Sequence, residues 1–596
     1  MKKNFLQKRL SHIWAIVLLY KLKNPKAFIV FQSLLIGILT GFIAVLLKNL
    51  VHITGRELYR NATPSHPQFL YLALPGLGIL LTVLYLRQFV KDDISHGISK
   101  VLKAISKKNS RIKFHNTYSS IVSSTLTVGF GGSVGLEAPI VYTGSAVGSN
   151  MGTAFKQDYK TTTLLLACGA AGAIGGIFKA PIAATIFALE VLMIDLSLWS
   201  IIPLLLASVS GTMVSFFLMG DSVMFNFSQP ELFEKKNIGY YALLGIFCGF
   251  ISVAFMRQMS FFEKRIAKIV SPWRKIALAT LVLGSLIFLM PPLFGEGYLT
   301  LQFLQGSQPE QISQLIQFDF FKQNINTILL FLFIVVLFKG LAVAITTGSG
   351  GVGGVFAPAL FMGGVTGYLV GMLLNKITFI HVSIKNFSLV GMAGVMAGIM
   401  HAPLTAIFLV AEITGGYGLF VPLIITSSIS YLTLRYYEKN SIYSRELARK
   451  GEALSHNKDH NILRLLEIDN IIEKDWVSLK TSDSLREIVD VFKKHDRNLF
   501  PVLGRNNELL GLVMLNDIRN KMFDSLLLDT TFVIDYYHPA RATIDYSDSF
   551  ENIMKQFDDT KLWNLPVIKD GKFEGILSKS KLYSEYRKLM VQLSDE

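Results

Sequence analysis

Hydrophobic and polar positions divide this chain into two unlike parts. Uncharged apolar runs recur from Ala27 to Leu47, Phe114 to Leu136, Leu196 to Gly220, Ile276 to Gly295, Gly340 to Asn375, Asn386 to Ala411 and Ile413 to Leu434. A crossing helix needs roughly 20 apolar residues, so each run has the length of a span and the longest has room for two. Shorter Gly-rich pieces lie between them, which predicts many tilted or interrupted helices in an all-α polytopic domain. After Leu434 charges become frequent and apolar residues alternate with polar ones. No run there could cross a bilayer, so a small soluble α/β tail is expected.

The apolar part repeats itself. Gly169 to Val191 reads GAAGAIGGIFKAPIAATIFALEV and Gly391 to Ile413 reads GMAGVMAGIMHAPLTAIFLVAEI. Without a gap, Gly169, Gly172, Gly176, Ala180, Pro181 and Glu190 fall on Gly391, Gly394, Gly398, Ala402, Pro403 and Glu412. Upstream, Gly135-Leu136-Glu137-Ala138-Pro139 matches Gly354-Val355-Phe356-Ala357-Pro358 in the same order. Duplicated halves with Gly- and Pro-interrupted segments point to a transporter whose site lies at mid-membrane between the repeats. Pro is tolerated in a first helical turn, and Gly lets backbone turn tightly and approach a ligand. Each motif therefore predicts a helix start at membrane depth, with free N–H groups and the positive dipole end directed at one place. Such ends attract anions without a full charge, and weak binding lets the ion leave. The bland alternative is a packing motif of small residues.

Glu137 carries the sharpest expectation, because a carboxylate inside the bilayer is functional by default. Placed among exposed amides it mimics the anion, and protonation would release it, so pH should gate or couple transport. Glu190 and Glu412, repeat mates near helix ends, are read as structural acceptors of backbone hydrogen bonds. Lys179 and His401, just before the Ala-Pro breaks, are read as loop caps, and Asp195 as a membrane-surface residue.

Composition narrows the class. The chain of 596 residues is 51% hydrophobic and carries a formal charge of +16. Basic loops facing anionic lipid account for that charge without invoking nucleic acid. Met1 to Lys26 holds seven Lys or Arg and no acid. Its short apolar run, Trp14 to Tyr20, lacks a small-residue cleavage site, so a signal peptide is not expected and this end is read as cytoplasmic. With only Cys168 and Cys248, a disulfide framework and a Cys-based metal site are not expected. The apolar core shows no His-x-x-x-His or paired Asp, which speaks against a membrane enzyme, and its few carboxylates speak against a cation carrier.

These motifs resemble those of the CLC chloride channel and chloride/proton antiporter family over roughly Ala27 to Arg449. The resemblance implies two inverted repeats, a homodimer with one pathway per subunit, and chloride as the transported ligand. In that family the first motif reads Gly-Arg-Glu-Gly-Pro and its Glu is the external gate, here Glu137, with Leu136 and Ala138 as departures. The amides of Leu136 and Glu137 would line an outer anion position, and those of Val355 and Phe356 the central one. Tyr443 best matches a family Tyr whose hydroxyl faces the central position. The family's Gly-Ser-Gly-Ile-Pro falls on Ser95-His96-Gly97-Ile98-Ser99, so His96 replaces an anion-binding serine. Its imidazole retains a donor, and its charge changes near neutral pH. An inner proton-relaying Glu would follow Glu190, but Val191 stands there, which tilts the reading to a channel, voltage- or pH-gated. A chloride/proton antiporter using the same gate, or a member selective for fluoride or nitrate, is the alternative.

The tail repeats as well. Ser482-Asp483-Ser484 with Pro501-Val502 recurs as Ser547-Asp548-Ser549 with Pro566-Val567 at one offset. Each copy is expected to run from a capped helix through two strands into another helix. This resembles a tandem pair of CBS domains, a pair that holds adenine nucleotides in some proteins. Gly511 to Asp517 retains the ribose-binding Asp, whereas Lys581 stands in the second copy and Met514 replaces a hydroxyl residue. Nucleotide binding at Asp517 and a dimer-stabilising scaffold are the two readings, and no cofactor is required. The expected organisation is a basic segment over residues 1–26, a transmembrane domain over 27–449, a linker over 450–466, and CBS domains over 467–524 and 525–596. Both termini would be cytoplasmic and the protein would lie in the cell membrane.

Overall fold

The computed structural model describes residues 23–58, 70–193, 198–220, 231, 233–306, 313, 316–449, 466 and 468–594. The Trp14–Tyr20 run and Asp195 lie outside them. Contacts divide the chain into two compact units, Met1–Leu454 and Ser455–Glu596.

The first unit is helical. Its helices run α1 (Pro25–Leu58), α2 (Leu70–Tyr85), α3 (Gly97–Lys107), α4 (Ser119–Gly129), α5 (Glu137–Ala154) and α6 (Tyr159–Phe178). Then come α7 (Pro181–Glu190), α8 (Leu198–Met219), α9 (Ile238–Ala267), α10 (Pro272–Leu289) and α11 (Tyr298–Gln305). The series ends with α12 (Ile325–Gly348), α13 (Phe356–Leu374), α14 (Ile384–Met400), α15 (Pro403–Ile413), α16 (Phe420–Tyr437) and α17 (Arg445–Arg449). Among the described residues, eight helices are long and apolar enough to cross a membrane. Outward side chains such as Phe42, Phe217, Leu281 and Leu432 are exposed, as lipid-facing residues are.

Two features differ from the run-by-run reading. Phe114 to Leu136 is not one span: it holds a single turn, the short helix α4 and a loop from Phe130 to Leu136. Glycines 129, 131, 132 and 135 break the helix, with Gly131 at φ 98°. Conversely, α2, α6 and α9 have crossing length although none lies in the runs named above. The pattern is there to be read: residues 61–86, 161–178 and 237–256 carry no Asp, Glu, Lys or Arg, and the charges at Arg87, Lys160, Lys179 and Arg257 only bound them.

The repeat is visible in the backbone. Helix α6 ends with Lys179 at φ 58° and α7 starts with Pro181; α14 ends with His401 at φ 55° and α15 starts with Pro403. A left-handed residue stops the first helix, and Pro, which lacks the N–H that would be orphaned anyway, starts the second. The Lys179 ammonium donates to the Gly220 carbonyl at 2.6 Å. Within each half the two helices that follow the Gly-x-x-Ala-Pro motif, α5 with α6 and α13 with α14, touch through backbone. A Cβ on Gly144 would overlap the Gly169 carbonyl, and one on Gly367 would overlap the Phe387 carbonyl. Replacing Gly367 with Leu is expected to cost about 1–3 kcal/mol through overpacking. Thermal unfolding in detergent should show it, whereas Gly239→Leu, which meets nothing within 4 Å, should be near neutral.

The two halves also cap each other. Glu412, ending α15, accepts from Ile182 N–H at 3.1 Å and Ala183 N–H at 2.8 Å at the start of α7. Glu190, ending α7, accepts from Leu404 N–H at 3.1 Å and from both the amide and hydroxyl of Thr405 at 2.7 Å. Each carboxylate satisfies orphan donors at the positive end of the other repeat's helix.

The second unit contains two similar modules. In the first, α18 (Leu485–Lys494) precedes the antiparallel pair β1 (Leu499–Leu503) and β2 (Leu509–Met514). In the second, β3 (Ile544–Asp545) pairs parallel with β4 (Asn564–Lys569), α19 (Phe550–Thr560) connects them, and β4 pairs antiparallel with β5 (Lys572–Ser578), before α20 (Lys579–Ser594). Ser484 and Ser549 cap α18 and α19, and Ser484 forms a reciprocal pair with Glu487. Single bridges interlock the modules, Glu473 with Ile576 of β5 and His538 with Leu512 of β2. Asp517 Oδ2 accepts from Met514 N–H at 2.8 Å, and its other oxygen lies 3.6 Å from His538 Nε2.

Candidate anion site

The loops before α5 and α13 meet at one point. Gly135 N–H donates to the Gly354 carbonyl at 2.8 Å, and Gly354 N–H donates to the Gly135 carbonyl at 2.7 Å. A side chain at either glycine would crowd this crossing: a Cβ on Gly354 would sit 2.9 Å from the Ala138 Cβ, and one on Gly135 would sit 2.9 Å from the Ala357 Cβ. Leu136 and Val355 stand at the N-cap positions, and neither side chain caps its helix. Pro139 and Pro358 follow within the first turn of each helix. Two helix starts, whose first amides lack intrahelical partners, thus lie side by side in the buried core.

Glu137 projects into this crossing and is only 1% exposed. Its Oε1 accepts from the Tyr298 hydroxyl at 2.9 Å, while Oε2 has no hydrogen-bond partner. The Ala357 amide of the opposite helix start faces the carboxylate. Phe356, at the head of α13, is buried and stacks on Phe178 with centroids 5.0 Å apart. Tyr443 is buried, and its hydroxyl has no partner and feels the charge of Glu137. Ser99 Oγ donates to the Tyr443 carbonyl at 2.8 Å and ties that segment to α3. An unpartnered buried hydroxyl and an unpartnered carboxylate oxygen near paired helix starts are the groups a bound ion or a proton would satisfy.

His96 is held differently from a serine. It caps α3 in a left-handed conformation, φ 55°, and its Nε2 lies 3.8 Å from Glu263 of α9. Thr347 donates to the same Glu263 oxygen at 3.0 Å. Val191 is buried at the end of α7 and offers no ionisable group there.

A family model described as "Voltage gated chloride channel" matches residues 78–435, more than half of the chain, and a CBS domain model matches residues 468–524. The chain belongs to the voltage gated chloride channel, or CLC, family. A putative chloride channel protein ClcB-like of Ralstonia nicotianae is 26% identical over 395 residues, 65% of this chain and 87% of that protein. An H(+)/Cl(-) exchange transporter ClcA of Vibrio cholerae is 28% identical over 441 residues, covering 72% and 91%. A slow cyanobacterial Cl-/H+ antiporter superposes with a TM-score of 0.61 at 21% identity, over 71% of this chain and 97% of that one, which shows the shared fold. CLC proteins carry anions through membranes, and this chain is a multi-pass member with a helical membrane domain and a small α/β tail.

Two charges inside the helical unit of this CLC protein escaped the sequence reading, Lys339 fully buried and Glu296 half-buried. Glu296, between α10 and α11, accepts from the Leu136 N–H through Oε1 at 3.2 Å. Lys339, on α12, is fully buried and donates to Ser133 Oγ at 2.8 Å and to the Gly295 carbonyl at 3.1 Å. The charges of Lys48, Lys339 and Glu137 all act on Glu296. The signals were present: a lone Lys in the 24-residue apolar stretch of α12 and an acid in Phe294-Gly295-Glu296-Gly297-Tyr298. Intramembrane charges are costly unless paired and are functional by default.

Proposed function

We propose that this protein moves chloride, or a similarly small anion, across the cell membrane through the crossing of α5 and α13, with Glu137 as its gate. The observation that carries this reading is the double hydrogen bond between Gly135 and Gly354, which sets two helix starts beside one buried carboxylate. The amides of Leu136 and Glu137 would hold the ion outside the gate; those of Val355 and Phe356, with the Tyr443 hydroxyl, would hold it centrally. Ionised Glu137 competes with the anion for donors, and the protonated form leaves them free. His96 takes part at the inner mouth, and Val191, unable to carry a proton, favours a gated channel. The working unit is read as a homodimer with both termini in the cytoplasm. The tail is a scaffold for that dimer, or a site where Asp517 holds an adenine nucleotide.

Proton-coupled exchange is the second reading, favoured by the His96–Glu263 pair, whose ionisable groups lie 3.8 Å apart close to the segment of Tyr443. Reconstitution in vesicles with opposing chloride and proton gradients separates the two. A reversal potential set by chloride alone supports the channel, and proton uptake driven by chloride supports exchange. Vesicles that carry no chloride, nitrate, bromide or fluoride flux at pH 5 or pH 7.5 would remove the proposed function.

A further inference from the structure

Leu136 N–H belongs to the outer anion position in the reading above, yet a side chain already occupies it. Glu296 Oε1 lies 3.2 Å from that nitrogen. Two residues later Tyr298 donates to Glu137 Oε1 at 2.9 Å. The segment from Glu296 to Tyr298 therefore touches both the gate carboxylate and the amide beside it.

We propose that Glu296 is a second gating carboxylate, which holds the Leu136 amide when ionised and yields it to an incoming anion when protonated. The charged groups that act on it fit an exchange between two states. Glu137 on α5 repels it, whereas Lys48 on α1 and Lys339 on α12 attract it. Lys339 Nζ hydrogen-bonds to Ser133 and to the Gly295 carbonyl, so it supplies field and positions the loop without itself reaching the amide. Lys179 acts on Lys48 in turn. A negative ion at the Leu136 amide would replace the negative carboxylate in the field of the same two lysines, so their compensation is kept through the cycle. Two ionised carboxylates side by side repel, so protonating either one eases the other's hold on its donors.

This inference rests on the proposed anion pathway, and its test separates the two. Chloride efflux from vesicles is measured between pH 5 and pH 8 for the full chain, Glu137→Gln, Glu296→Gln and the double variant. If the wild type carries no anion, the pathway itself fails. If it does, Glu137→Gln should keep a several-fold rise in flux on acidification, and adding Glu296→Gln should flatten it. A flat profile for Glu137→Gln together with an unchanged profile for Glu296→Gln overturns the second gate. Chloride binding in detergent at pH 8 gives a reading independent of flux and of how well the Gln variant folds. Glu296→Asp keeps the charge beside the lysines but is a methylene too short to hold Leu136 N–H, and it should bind chloride several-fold more tightly than wild type. Equal affinity would count against the proposal.

Discussion

Chloride efflux at pH 7.5 should rise about tenfold or more in Glu137→Gln, because a hydrogen bond to an ionised group contributes roughly 1.5–3 kcal/mol. In the proposed pathway Glu137 stands at the α5–α13 crossing, 1% exposed, with the Tyr298 hydroxyl on one oxygen and the other oxygen unpartnered. Gln keeps the shape and an acceptor for Tyr298 but loses the charge that competes for the helix-end amides. The sign follows from the chemistry of the gate. In the wild type, lowering pH should protonate Glu137 and raise flux, so wild type and variant should converge toward acid and diverge toward base. If the protein exchanges chloride for protons, the same substitution should also abolish chloride-driven proton uptake. The measurement is chloride release with a selective electrode, with proton movement followed in parallel. Efflux from Glu137→Gln equal to wild type at both pH 5 and pH 7.5 would end the assignment of Glu137 as a gate.

What the sequence makes legible here is whatever local chemistry determines. Gly135, Gly354, Pro139 and Pro358 announce helix starts because Gly permits close backbone approach and Pro suits a first helical turn, and a second copy of the pattern announces a repeat. Glu137 stands out because a carboxylate beside free amides has one evident consequence. Glu296 carries no such local mark. Its partner, the Leu136 amide, is 160 positions away, and which loop reaches which helix start is decided by packing of the whole unit. His96 shows the same limit. Its place at the start of α3 follows from the motif, but its proximity to Glu263 depends on where the fold brings α9. The uncharged run from Phe114 to Leu136 misleads for the opposite reason. Hydropathy records burial, and a buried loop lined with Gly and Ser is as uncharged as a span. The roles of Glu190 and Glu412 are legible in kind but not in partner, since each caps a helix of the other half.

Those crossed caps make the largest stability prediction. Glu412→Ala removes the acceptor of the Ile182 and Ala183 amides, now held at 3.1 and 2.8 Å. Two charge-assisted bonds at roughly 1.5–3 kcal/mol each put the loss near 3–6 kcal/mol before relaxation. Glu412→Gln retains one carbonyl oxygen but loses the charge at the helix N-terminus, so an intermediate loss is expected. Glu190→Ala should cost at least as much, since it also releases the Thr405 hydroxyl. Because α7 and α15 pack against each other and share these caps, the double variant should lose less than the sum of the singles. Thermal midpoints of the purified protein in detergent provide the comparison. If Glu412→Ala and Glu412→Gln both unfold at the wild-type temperature, the crossed caps contribute nothing, and packing of small residues alone holds the two halves together. If they fall in the expected order, the acids that end α7 and α15 are the polar bolts that keep the α5–α13 crossing in register.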